Sequence, residues 1–243
     1  MRMWTFASRT SKEILRDPLN LAFGLGFPVI LLLLLSAIQA NIPTRIFDIH
    51  DLTPGITVFG LSFLTLFSAT MIAKDRSGSL LQRLYTTPMT SQDFILGYAL
   101  PIIPLSIAQC SLCYILAIAL GLNVTINILW AIVFIIPICV LYIALGLLFG
   151  SILNDKQVGG ICGALLTNLS AWLSGTWFDL DLVGGPFKKI AYLLPFVHAV
   201  EMERAALSGN LKSMFPHLWW VIGYAVFTMA LAIVLFLRQM KKG

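Results

Sequence analysis

Few residues in this chain have the types and spacing to do chemistry. Cys110 and Cys113 have the C-x-x-C spacing of a metal or redox pair, but they lie midway along an apolar run with no second Cys or His pair nearby. Cys139 and Cys162 fall in separate apolar runs. Structural zinc sites draw four N or S ligands together, so these thiols read as small buried hydrophobes and no metal ligand is assigned. His50, His198 and His217 all fall in segments predicted to lie on the outer side of the membrane and read as solvated or interfacial. Ser174 stands beside Gly175 without a His at matching depth, which leaves a serine nucleophile without its base. The phosphate-cradling G-x-x-x-x-G-K pattern and the H-E-x-x-H pattern are both missing. The expectation is a chain that is not an enzyme and carries no cofactor of its own.

The elements that hold these residues explain the scarcity. Of 243 residues, 58% are hydrophobic and 11% charged, and the mean hydropathy is +0.90. Soluble domains carry roughly 25% charged residues, so this is the composition of an integral membrane protein. Crossing a hydrocarbon core about 30 Å thick takes a helix of about 20 residues, because lipid cannot satisfy open backbone groups. Six apolar runs have that length: Leu19 to Ile38, Gly55 to Ala73, Phe94 to Leu122, Ile128 to Leu153, Val158 to Phe178 and Leu218 to Leu237. A shorter run at 190–200 reads as re-entrant or interfacial.

Charge orients the runs. With the N-terminus cytoplasmic, the inner segments hold Arg2, Arg9, Lys12, Arg16, Lys74, Arg76, Arg83, Lys156, Arg238, Lys241 and Lys242. The outer ones hold only Arg45, Lys188, Lys189, Arg204 and Lys212, which predicts both termini inside. The net charge of +5 is thus mainly a topology signal, and no nucleic-acid partner is expected. Residues 1–18 place Trp4, Phe6, Ile14 and Leu15 among basic residues, as an interfacial helix on the inner membrane surface does.

No run carries Lys, Arg, Asp or Glu in its interior, which argues against a proton-driven secondary transporter. The neutral polar residues within the runs are interhelical glue or a weakly polar path for an amphiphile. Ser106, Gln109, Asn168 and Trp172 are the candidates for that path. Two G-x-x-x-G patterns, Gly146 to Gly150 and Gly159 to Gly163, predict close packing of the fourth and fifth runs on each other or on a second copy.

One polar island breaks the pattern. In residues 74–93, Leu80, Leu81, Leu84, Tyr85 and Met89 recur at helical spacing among Asp75, Arg76, Gln82 and Arg83, which predicts a short amphipathic helix. Pro88 ends it, and Thr90 with Asp93 reads as a capping box that starts the next helix. Taken with "RDP" at 16–18, "LSGTWF" at 173–178 and "LLPFVHAVEMERAALSG" at 193–209, the run from Ala73 to Pro88 resembles the permease subunits of type-2 ABC exporters, in their drug-resistance-like branch. The resemblance runs in order from residue 16 to 238. It departs after Gly175, where the family often has a Pro and this chain has "FDLDLVGGP".

The resemblance implies an all-α membrane domain filling residues 1–243, with six transmembrane helices, the interfacial helix at 1–18, a cytoplasmic coupling helix in 74–93 and an outer re-entrant hairpin at 179–216. Pro195 would break the hairpin and Arg204 would sit at the outer interface. Asp75, Arg76, Gly78, Leu80, Leu84, Thr87 and Pro88 would dock on a separate ABC ATPase subunit, present in two copies and using ATP and Mg. A second permease chain, as a homodimer, is implied, with the assembly in a bacterial cell membrane among lipid. The expected cargo is hydrophobic or amphiphilic: a drug, an antimicrobial peptide or a lipid. The alternatives are a lipid-linked polysaccharide exporter and a non-transporting sensor on the same fold.

Overall fold

The structure is a computed structural model that describes residues 2–43, 46–78 and 90–240. The described residues are helical and without strands, as an apolar chain that must satisfy its own backbone hydrogen bonds requires. An amphipathic helix, Arg2–Leu15, comes first and buries Phe6, Ala7 and Thr10 on one side. Among the described residues, five helices are long and apolar enough to cross a membrane: Pro18–Ala40, Ile49–Ser77, Gln92–Ala119, Asn127–Ile152 and Leu211–Arg238. They are called here the first, second, third, fourth and last long helices.

The second long helix is the axis of the bundle, with 89% of its apolar window buried against 22% for the first and 28% for the last. Its neighbours reach it through small residues. A Cβ on Gly146 would lie 2.8 Å from Ser68, and one on Gly150 would lie 2.9 Å from the Ala69 carbonyl, so the fourth helix fits only with glycine at both positions. These two glycines pack against the second helix. That corrects the expectation of contact with the fifth run or a second copy. A Cβ on Gly163 would lie 3.4 Å from the Leu66 side chain of the same second helix, and one on Gly159 would meet open space.

Hydrogen bonds between spans add to this close packing. Thr65 donates to the Tyr142 carbonyl at 2.7 Å, Gln109 to the Thr57 carbonyl at 3.2 Å, and the hydroxyls of Tyr142 and Ser170 meet at 2.8 Å. Bonds of this kind contribute about 0.6 kcal/mol each in membrane bundles.

The fifth apolar run is shorter than expected. Helix spans 155–172, with a π-helical stretch at Gly159–Leu166, and residues 173–178 turn away from the helix axis. At 1.5 Å per residue the segment is about 27 Å long. It is opened by a capping box between Asn154 and Gln157. The outer segment then folds as three short helices, Leu180–Val183, Gly185–Leu193 and Pro195–Leu207. Pro195 occupies the first turn of the third, where its missing N–H costs nothing, and the break falls just before it. Pro195–Leu207 packs against the second, fourth and last long helices and is buried along most of its length.

Candidate functional site

The inner end of the second helix is where the sequence places the coupling loop. The helix stops at Ser77, and beyond residues 79–89 a helix begins at Ser91 behind a capping box in which Thr90 and Asp93 bond each other reciprocally. Leu80, Leu84, Thr87 and Pro88 lie outside the described residues. Gly78 is described: it caps the second helix with an extended backbone at φ −81°, and its amide donates to the Lys74 carbonyl.

Asp75 and Arg76 are turned inward. The Asp75 carboxylate is buried and accepts two bonds from the Arg9 guanidinium, at 2.6 and 2.9 Å, in the bidentate geometry that makes such pairs strong. Tyr98 of the third helix donates to the same carboxylate at 2.8 Å. Hydrogen bonding to Asp75 pushes the Arg9 guanidinium further above its ordinary value. Arg76 donates to the carbonyls of Ser151 and Leu153. Those carbonyls belong to the end of the fourth helix, where backbone acceptors lose their helical partners and the helix dipole is negative. The Arg76 guanidinium therefore caps a helix of its own chain.

Asp75 and Arg76 thus join four elements at one inner corner. The N-terminal helix is bound through Arg9, the third helix through Tyr98, and the fourth through its end carbonyls. Phe6 strengthens the corner by packing edge-on to Phe94 and Tyr98, with centroids 5.5 and 5.0 Å away. Gly97 makes room, since a Cβ there would lie 2.2 Å from the Phe6 ring.

The four proposed path residues do not meet. Ser106 and Gln109 are buried inside the bundle, where Ser106 accepts from Cys139 and Gln109 donates to Thr57. Asn168 and Trp172 are exposed on the outward stripe of the 155–172 helix together with Leu165. The four cysteines are all free and buried, and no group of three metal-ligating side chains occurs among the described residues.

At the opposite end of the bundle Arg204 ties three segments. It donates to the Gly175 carbonyl at 2.9 Å, to the Asp51 carbonyl at 3.2 Å and to Glu201 at 2.8 Å. It borders a cavity of about 470 Å³ that also takes in Phe47, Trp177 and Tyr192. The solvated reading of the histidines fails for His198, which is 4% exposed. Its Nε2 lies 3.0 Å from the Tyr192 carbonyl, its Nδ1 lies 2.8 Å from Nδ1 of His217, and its ring stacks on Trp220. Burial lowers the His198 imidazole from its ordinary value.

Sequence reasoning missed Arg9 and Tyr98 as partners of Asp75, and it missed Glu203. Nothing in the local sequence marks Arg9, which lies 66 residues from Asp75. Glu203 stands in the charged run "EMER", where no local sequence feature marks it as buried.

A family model described as ABC-2 type transporter matches residues 1–208. A search of curated proteins finds no match. With most of the chain matched, and with an all-helical membrane bundle beneath that match, the chain belongs to the ABC-2 type transporter family as a permease subunit.

Proposed function

We propose that this chain is the membrane-spanning half of an ATP-driven exporter for hydrophobic or amphiphilic cargo, energised by a separate ATPase that docks on residues 79–89 and their flanks. The observation that carries this reading is the inner corner. A loop bracketed by a helix end at Ser77 and a capping box at Thr90 stands on a stem bound to three other helices. Force applied to such a loop passes into the N-terminal, third and fourth helices together, as a protein without a nucleotide site of its own needs.

The docking side chains are then Leu80 and Leu84, whose apolar groups suit a groove on the partner. Asp75 and Arg76 transmit, and do not touch, the ATPase. With 155–172 as a sixth crossing, both termini lie on the cytoplasmic side, in line with the Lys and Arg distribution. A second copy facing the stripe of Leu165, Asn168 and Trp172 encloses a path between chains, and the open surface at Gly159 and Gly160 favours that arrangement.

The test is co-purification of the full chain with its ATPase. Leu84→Asp abolishes the association while membrane insertion is retained, and export from ATP-loaded vesicles stops. Export that continues with no ATPase present overturns the proposal.

A further inference from the structure

Glu203 is 0% exposed, on a helix that sits against three of the long helices. Its Oε1 accepts from the Tyr114 hydroxyl at 3.1 Å, and its Oε2 has no hydrogen-bond partner. Among the described residues it has no ion pair. A carboxylate in this setting would be a buried, uncompensated charge, which proteins avoid by keeping the group neutral.

Among the described residues no cation forms an ion pair with it. On its own helix, Arg204 is committed to Glu201 and to two carbonyls, and His198 is held by His217 and Tyr192. The third long helix offers Tyr114 and Cys110, neither of which can carry a positive charge. The second carries no ionisable acid or base between Asp51 and Lys74, and the fourth has no Asp, Glu, Lys or Arg in its length. The last helix brings Lys212, His217 and Arg238, and the preceding hairpin helix brings Lys188, which is paired to Asp181, and Lys189.

We infer that Glu203 is a proton-binding site of the membrane domain, protonated while the outer hairpin is docked and ionised when the hairpin leaves the bundle. The step balances simply: the Oε2–H bond breaks, the electron pair stays on the carboxylate, and the proton passes to water at the outer side. One proton is released per chain on undocking and taken up on docking. The inference stands apart from the identity of the cargo and of the ATPase.

Burial raises the Glu203 carboxyl to about 8, and the Tyr114 bond opposes part of that rise. The docked state holds the proton more tightly than the undocked state, so docking is fully favoured below the ordinary carboxylate range. It weakens about tenfold per pH unit as pH rises to about 8, and levels off above that.

Infrared difference spectroscopy on the purified full chain in lipid tests this directly. A protonated-carboxyl band is expected at pH 7, lost on titration with a midpoint near 8 and absent from Glu203→Gln. Tyr114→Phe, which keeps Glu203 but removes its donor, moves the midpoint upward. Should Glu203→Gln fold poorly, the Tyr114→Phe shift carries the assignment. No such band at pH 7, a midpoint below about 6, or a midpoint unmoved by Tyr114→Phe would overturn the inference.

Discussion

Asp75 makes sense as a buried anion only because Arg9 and Tyr98 meet it from two other helices. Removing the arginine leaves a carboxylate 6% exposed with one neutral donor. Arg9→Ala should therefore destabilise the domain by about 2 kcal/mol, the scale of a lost hydrogen bond to a charged group, and lower the thermal unfolding midpoint of the purified chain. Tyr98→Phe removes a single donor and should cost about 1 kcal/mol in the same assay. Arg76→Glu should lower stability as well, because the terminal carbonyls of the fourth helix lose their cap. A variant that only lost ATPase binding would show the guanidinium facing outward. That Asp75 and Arg76 matter was legible in the sequence, through their place at the end of an apolar run. Their direction was not: it depends on helix phase and on partners 66 and 75 residues away in the chain. Glu203 was illegible for a related reason, since a charged run is buried or solvated according to what packs over it.

At the scale of elements, the glycines separate two kinds of packing that one spacing cannot distinguish. Gly150→Val would force a branched side chain against Ile72 and the backbone of Ala69. Overpacking of this kind costs about 1–3 kcal/mol, so the second and fourth helices should splay and thermal stability should fall. Gly159→Val meets open space within the chain and should leave the unfolding midpoint of the single chain unchanged. If the 155–172 helix joins two copies, the same change shifts light-scattering mass toward the monomer. The G-x-x-x-G spacing announces close approach but not which partner approaches, because any helix with small residues or short side chains suffices. The capping box at Thr90 was fully legible, because both of its residues are local. Thr90→Ala should cost about 1 kcal/mol and loosen the start of the third helix, seen as faster amide exchange at Asp93 and Phe94.

Across the whole molecule, the apolar runs foretold the long helices because hydrocarbon thickness sets a minimum length that composition alone reveals. The fifth run was the exception. Its apolar residues continue through "LSGTWF", but positive φ at Gly175 and the bonds of Arg204 to Gly175 and Asp51 draw the chain into the outer segment. Replacing residues 79–89 by a Gly-Ser linker of equal length should leave the bundle folded, because the clamp on Asp75 and Arg76 lies outside the replaced stretch. Stimulated ATP hydrolysis by the assembled complex should fall to that of the isolated ATPase. The cap on the fourth helix also bears on how the chain is made. Arg76 emerges in the first third of synthesis, whereas its acceptors at Ser151 and Leu153 emerge much later and only after two further helices have entered the bilayer. Until then those two bonds are unmade, so the join between the second and fourth helices is completed late in biogenesis, and a nascent chain halted before residue 153 should be cut near Asp75 and Arg76 by added protease more readily than the full chain.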